Sequence, residues 1–156
     1  MHYVRFKSFT RWTATTTCHN ELTHLNDSGE KYTMQNLVNP LAVAESLSEY
    51  WSPKVIAEVD DAYVKVAKVK GTLTWHSHDQ EDEMFLVLRG QLRIEMEDRD
   101  ILLNEGEMFV VPKGVRHNPV AKEECLILLF ERKSTQHTGD TMSDKTRSIE
   151  EQLRQN

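Results

Sequence analysis

The chain has 156 residues, enough for one well-filled domain and short for two, since domains typically hold ~100 to 200 residues. Its 38% apolar and 28% charged side chains suit a soluble globular protein, and the longest apolar run, Leu126 to Phe130, is far too short for a membrane-spanning helix. With 25 acidic against 19 basic side chains the formal charge is -6, a field that repels nucleic acid and anionic lipid, so neither is expected as a partner.

Residues 1–33 contain a threonine run and no sustained apolar periodicity, and read as an N-terminal extension outside the core. Up to Asn20 the segment carries Arg5, Lys7 and Arg11 and no acid. That composition overlaps organellar transit peptides, with a disordered tail or an upstream start before Met34 as the plainer readings. Cys18 and Cys125 are far apart and belong to no C-x-x-C pair, which argues against a disulfide framework or thiolate zinc and for a reducing, cytoplasmic compartment. The organellar location is the alternative.

Residues 34–53 form a helical lead-in: Asn39 caps a short helix whose first turn holds Pro40, with Leu41, Ala44, Leu47 and Trp51 at helical spacing and Ser52-Pro53 as the stop. From 54 to 133 the chain changes to short runs of Val, Ile, Leu and Phe between polar turns. Strands are predicted near 54–59, 62–69, 72–78, 83–88, 91–97, 101–103, 107–111, 116–121 and 124–131, an all-β sandwich or barrel. Residues 134–156 are a polar C-terminal tail that wraps the surface and ends in a weak helix; Gln136 to Asp140, with His137, reads as a surface turn.

His76 and His78 stand two apart on a predicted strand, so both imidazoles leave the same face. A polar turn, Asp79 to Asp82, then reverses the chain and Glu83 opens the next strand beside them. His117 follows the Pro112-Lys113-Gly114 turn, 34 residues beyond Glu83. An H-x-H alone is weak, because histidines on a strand are often solvent-facing. With the glutamate and a distant histidine after a P-x-G turn it is far more specific, and three imidazoles with one carboxylate suit a first-row divalent ion such as Mn, Fe, Co, Ni or Zn.

These motifs resemble the cupin superfamily. Gly71, His76, His78, Glu83 and Gly90 follow its first motif, and Gly106, Pro112, Gly114 and His117 its second, with fifteen residues between Gly90 and Gly106 as in small bacterial cupins. Two departures stand out: only four residues separate Gly71 from His76, and Ala121 occupies the position of the family asparagine. The resemblance implies a jelly-roll barrel, a double-stranded β-helix of six to eight strands, with His76, His78, Glu83 and His117 as metal ligands.

Strand alternation turns Phe85 and Val87 inward with Glu83, and Leu92, Ile94 and Met96 inward against an outer face of Arg93, Glu95 and Glu97. Tyr63, Lys65, Trp75 and Arg116 are the polar or aromatic groups that could reach a rim, each read first as surface or scaffold. Glu83 and Arg116 are the candidate catalytic residues. The expected function is a small metal-dependent enzyme, isomerase- or lyase-type, acting on a compact polar organic substrate. The alternatives are a dioxygenase and a non-catalytic ligand sensor, and a homodimer is expected. A second titratable group facing the metal would favour the enzyme.

Overall fold

The computed structural model describes residues 23–25, 29, 31–33 and 37–154. It divides into two compact units, Met1–Leu37 and Val38–Asn156. In the first, β1 (Thr23–Leu25) pairs antiparallel with β2 (Lys31–Thr33). Residues 1–22 and Met34, on which the tail, transit-peptide and start-site readings bear, lie outside the described residues.

The second unit begins with α1 (Pro40–Ser46), where the Asn39 side chain accepts from the Ala42 N–H at 3.2 Å and proline occupies the first turn, as its fixed φ favours. Ala44 packs with Val66 and Leu126 on the outer side of the sheet. The helix is shorter than the spacing predicts, because Leu47 turns extended at ψ 135°. Trp51 is therefore not on its face. It takes a left-handed φ of 56°, donates its indole N–H to Lys70 O at 2.7 Å and buries its ring in the main core.

Seven strands follow: β3 (Lys54–Val59), β4 (Ala62–Thr72), β5 (Glu83–Arg89), β6 (Gln91–Met96), β7 (Asp100–Asn104), β8 (Met108–Val111) and β9 (His117–Arg132). They make one antiparallel sheet in the order β3-β4-β9-β5-β8, and β6 pairs with both β7 and β9. The long β9 holds the sheet together, since one edge follows β4 while the other serves β5 through Leu126–Phe130 and β6 through His117–Val120. Phe85, Val87, Leu92, Ile94 and Met96 are buried in the main core, so the predicted inward faces of β5 and β6 are the observed ones. Short α2 (Ile149–Leu153) closes the described chain with a Ser148–Glu151 capping box.

Two strand predictions change. Residues 73–78 leave the ladder after Thr72, and His76 meets only His117, through reciprocal backbone bonds of 3.0 and 2.9 Å. The predicted 116–121 and 124–131 strands are one, because polar Lys122–Glu124 bulge outward: the register steps from Val69↔Cys125 to Gly71↔Ala121 without a turn. Gly90, at φ 90°, lies against that bulge, where a Cβ would stand 2.9 Å from Glu124 O. Among the described residues no helix is long and apolar enough to cross a membrane. Cys125 is buried and free, its thiol pushed up to about 12 by burial, which suits a packing role.

Candidate metal centre

Glu83 opens β5, His117 opens β9, and the His76–His117 bridge fixes the H-x-H segment beside them. The P-x-G turn docks on the same segment, with Gly114 N–H donating to His78 O at 2.7 Å. All four side chains are buried, and one ligand atom from each lies within 4.8 Å of the others. Glu83 Oε2 is the focus: it stands 2.9 Å from His117 Nε2, 3.2 Å from His78 Nε2 and 3.9 Å from His76 Nε2. Ligands ~2.1 Å from one ion are roughly 3 Å apart when adjacent and roughly 4 Å when opposite, so these separations fit a shared ion.

The imidazoles are oriented for that role by the backbone. His76 Nδ1 lies 3.0 Å from Thr74 O and His117 Nδ1 lies 3.0 Å from Val115 O, so each Nδ1–H donates outward and each Nε2 lone pair faces the centre. His117 Nε2 stands 2.9 Å from the Glu83 oxygen, close enough to share a proton that a metal ion between them would replace. His76 Nε2 and His78 Nε2 are buried without a hydrogen-bond partner. Orphaned nitrogens around a buried carboxylate are a donor set waiting for a Lewis acid, and the four residues could hold a metal ion.

Electrostatics separate the three shifted ligand groups. Burial lowers His76 to about 4. Burial also pushes His78 down, but nearby Glu83 outweighs it and the net shift is upward. Glu83 is driven up by burial and pulled further down by the His117 and His78 imidazoles, so it stays ionised.

A second polar group lies beside the cluster. Lys65 and Glu131 form a 2.9 Å ion pair whose side chains are 1% and 4% exposed. One step along the register from Met84↔Phe130 brings Glu131 opposite Glu83, and Lys65 sits opposite Leu129 in the next inward row. Burial and the Glu83 charge raise Glu131 against the pull of Lys65, to about 7. Alternation along Tyr63, Lys65, Ala67 and Val69 was the signal for Lys65; Glu131 had none beyond its place two residues after Leu129. Of the other rim candidates, Tyr63 is buried and Trp75 is exposed. Arg116 does not join the cluster: its half-exposed guanidinium faces Asp140 at 3.9 Å.

Gln136–Asp140 is a turn, as read, with Gly139 N–H donating to Gln136 O at 3.0 Å and both ends exposed, and it is also tied to the site. Ser77 N–H donates to Asp140 Oδ1 at 3.0 Å and Asp140 N–H donates to Ser77 O at 3.1 Å, which clasps this strap to the residue between two candidate ligands. Thr138 is buried, and burial lowers His137 to about 4. A hollow of about 260 Å³ between the strap and Ser77–Glu81 reaches His78 from solvent.

The family model for the cupin domain matches residues 62–130. A Bacillus subtilis protein, YdbB, is 32% identical over 66% of this chain and 92% of its own length. A crystal structure of a cupin-2 domain protein from Shewanella frigidimarina is 44% identical, covers 62% of this chain and 95% of that one, and superposes with a TM-score of 0.61. A 3-hydroxyanthranilate 3,4-dioxygenase from Aspergillus fumigatus is 35% identical over 54% of this chain, which spans 47% of that enzyme's length. The matched sequence, the jelly-roll sheet and the buried His/Glu cluster agree: this chain belongs to the cupin superfamily.

Proposed function

We propose that this chain is a metal-dependent enzyme in which His76, His78, Glu83 and His117 hold one divalent ion, Mn, Fe, Co, Ni or Zn, and that it carries out redox-neutral, isomerase- or lyase-type chemistry on a compact polar organic substrate. The observation that supports it most is the buried Lys65–Glu131 pair beside Glu83. A buried ion pair rarely stabilises more than apolar residues of the same volume would, so its retention here argues for use. An ion held by these four residues would supply Lewis-acid polarisation of a substrate carbonyl or hydroxyl. Glu131 then takes or returns a proton at its carboxylate, Lys65 holds that carboxylate in place, and the apolar walls from Phe85 and Leu129 exclude water. Arg116 acts from the rim by holding Asp140 and the strap.

A second reading, oxygen insertion by an iron-loaded site, is favoured by the 35% identity with the Aspergillus dioxygenase. The test is metal analysis of protein purified without added metal, then turnover of a panel of hydroxy acids, keto acids and sugars with and without oxygen. The expected outcome is bound metal, lost in His76→Ala and His117→Ala together with a lowered Tm, and turnover that is independent of oxygen and lost in Glu83→Gln. Unchanged metal in both histidine variants sinks the centre, turnover only with iron and air selects the dioxygenase, and none across the panel selects a binding protein. We further propose a cytoplasmic homodimer. Phe130, Met84 and Val110 form one row on the outer face of the sheet, two of them exposed, which supports self-association. Sedimentation at the dimer mass is expected.

A further inference from the structure

We propose that His137, on the C-terminal strap, is a further residue of this site and donates its Nε2–H to one oxygen of a small carboxylate held at the metal centre; the proposal rests on the metal-binding reading above. His137 lies beyond residues 62–130, the part matched by the family. His137 nevertheless lines a cavity of about 20 Å³ together with Glu83, and its other walls include Phe85, Ile127 and Leu129. That volume holds one water or one ligand oxygen.

The hydrogen bond at the far side of the ring decides what His137 can do there. Its Nδ1 accepts from the Arg147 N–H at 3.1 Å, so the neutral ring carries its proton on Nε2. His76 and His117 are arranged the opposite way, with Nδ1 facing a carbonyl and the Nε2 lone pair facing the centre. His137 is thereby a hydrogen-bond donor where the others are metal ligands. Among the described residues nothing accepts from its Nε2–H. The half-buried ring thus keeps an N–H open to an oxygen acceptor that arrives with the ligand.

Charge favours an anion as that ligand. A divalent ion and the Lys65 ammonium, set against the Glu83 and Glu131 carboxylates, leave one net positive charge in the barrel interior. The strap is held firmly enough to aim the ring. Asp140 and Ser77 exchange two hydrogen bonds, and the Lys145 ammonium donates to the carbonyls of Thr72 and Leu73.

Two measurements test this. In metal-free protein, long-range nitrogen–proton correlation of the imidazoles should show His137 protonated on Nε2 and His76 on Nδ1; an Nδ1–H form of His137 overturns the proposal. In cobalt(II)-loaded protein, acetate is titrated against the visible spectrum of the metal. His137→Phe should bind acetate roughly tenfold more weakly with unchanged cobalt stoichiometry, as expected for one lost hydrogen bond to a charged group. His137→Gln, which keeps a donor, should recover most of the affinity. Equal affinity in His137→Phe, or cobalt lost from that variant alone, overturns the role as a ligand-binding donor. No acetate binding to cobalt-loaded wild-type protein overturns the carboxylate class. Wild-type protein that takes up no cobalt overturns the metal centre itself, a result distinct from the others. Should His137→Phe fail to fold, the tautomer measurement decides.

Discussion

His76 and His137 lose most of their solvent on folding, and burial lowers each from 6.5 to about 4. In the unfolded chain both rings take protons near 6.5; in the folded chain they stay neutral until about 4. Between those values the unfolded state binds more protons, so stability rises with pH and is lost on acidification. His78 works the other way, because Glu83 outweighs burial and favours its proton in the folded state. The lowered Glu83 carboxyl adds a loss only once pH falls through its ordinary value of 4.5 and below. Glu131, raised to about 7, opposes the two lowered rings in the same sense as His78, so the sign is read by difference: between pH 6.5 and 4 the Tm of metal-free His137→Gln should lose less on acidification than that of the wild-type chain. Calorimetry of both proteins across that range checks it, and parallel Tm curves for the two would contradict the neutral burial of His137. Metal affinity falls over the same range, since protons compete for the imidazole lone pairs.

At the scale of elements, what the sequence made legible follows from local periodicity. Strand alternation identified the inward faces of β5 and β6, and the spacing of His76, His78, Glu83 and His117 identified the cluster because each residue opens or precedes a strand next to a turn. Lys65 was legible only as a rim candidate, read first as surface or scaffold, since its partner Glu131 comes from a strand distant in sequence and only tertiary pairing makes its burial tolerable. Lys122–Glu124 looked like a turn because a bulge and a turn share the same polar composition. The strap had no periodicity to read, and its position is set by a glycine contact instead. A Cβ on Gly139, at φ 50°, would stand 2.0 Å from Ser77 O, a backbone atom that cannot swing away. Gly139→Ala should therefore cost on the order of 2 kcal/mol or more and expose the strap to limited proteolysis. Gly106→Ala is the control: its φ of 80° is also unfavourable, but nothing lies within 4 Å of the new methyl, and it should cost only about 1 kcal/mol without new cleavage in the strap. Equal behaviour of the two variants would show that the contact with Ser77 is not what holds the strap.

For the whole molecule, the question is how much of the chain the barrel needs. The unit Val38–Asn156 carries the main core, the α1 cluster at Ala44, Val66 and Leu126, all four candidate ligands and the strap. Its sheet is continuous from β3 to β8, and its helix α1 is capped by Asn39 from within the same unit. Each of these features is built from residues of that unit. A chain that begins at Met34 should therefore express in soluble form, unfold in one cooperative transition at the Tm of the full chain, and bind the same amount of divalent metal. Such a chain keeps the Asn39 cap and Pro40 intact, so a change in its Tm could not be assigned to a damaged helix start. Its sedimentation is the informative companion measurement. A homodimer built on the Phe130–Met84–Val110 face would persist in the shortened chain, whereas one built by an N-terminal strand covering a partner's sheet edge would dissociate. Aggregation of the shortened chain, or a lowered Tm with metal content retained, would mean that residues before Met34 cover apolar surface and belong to the folded protein.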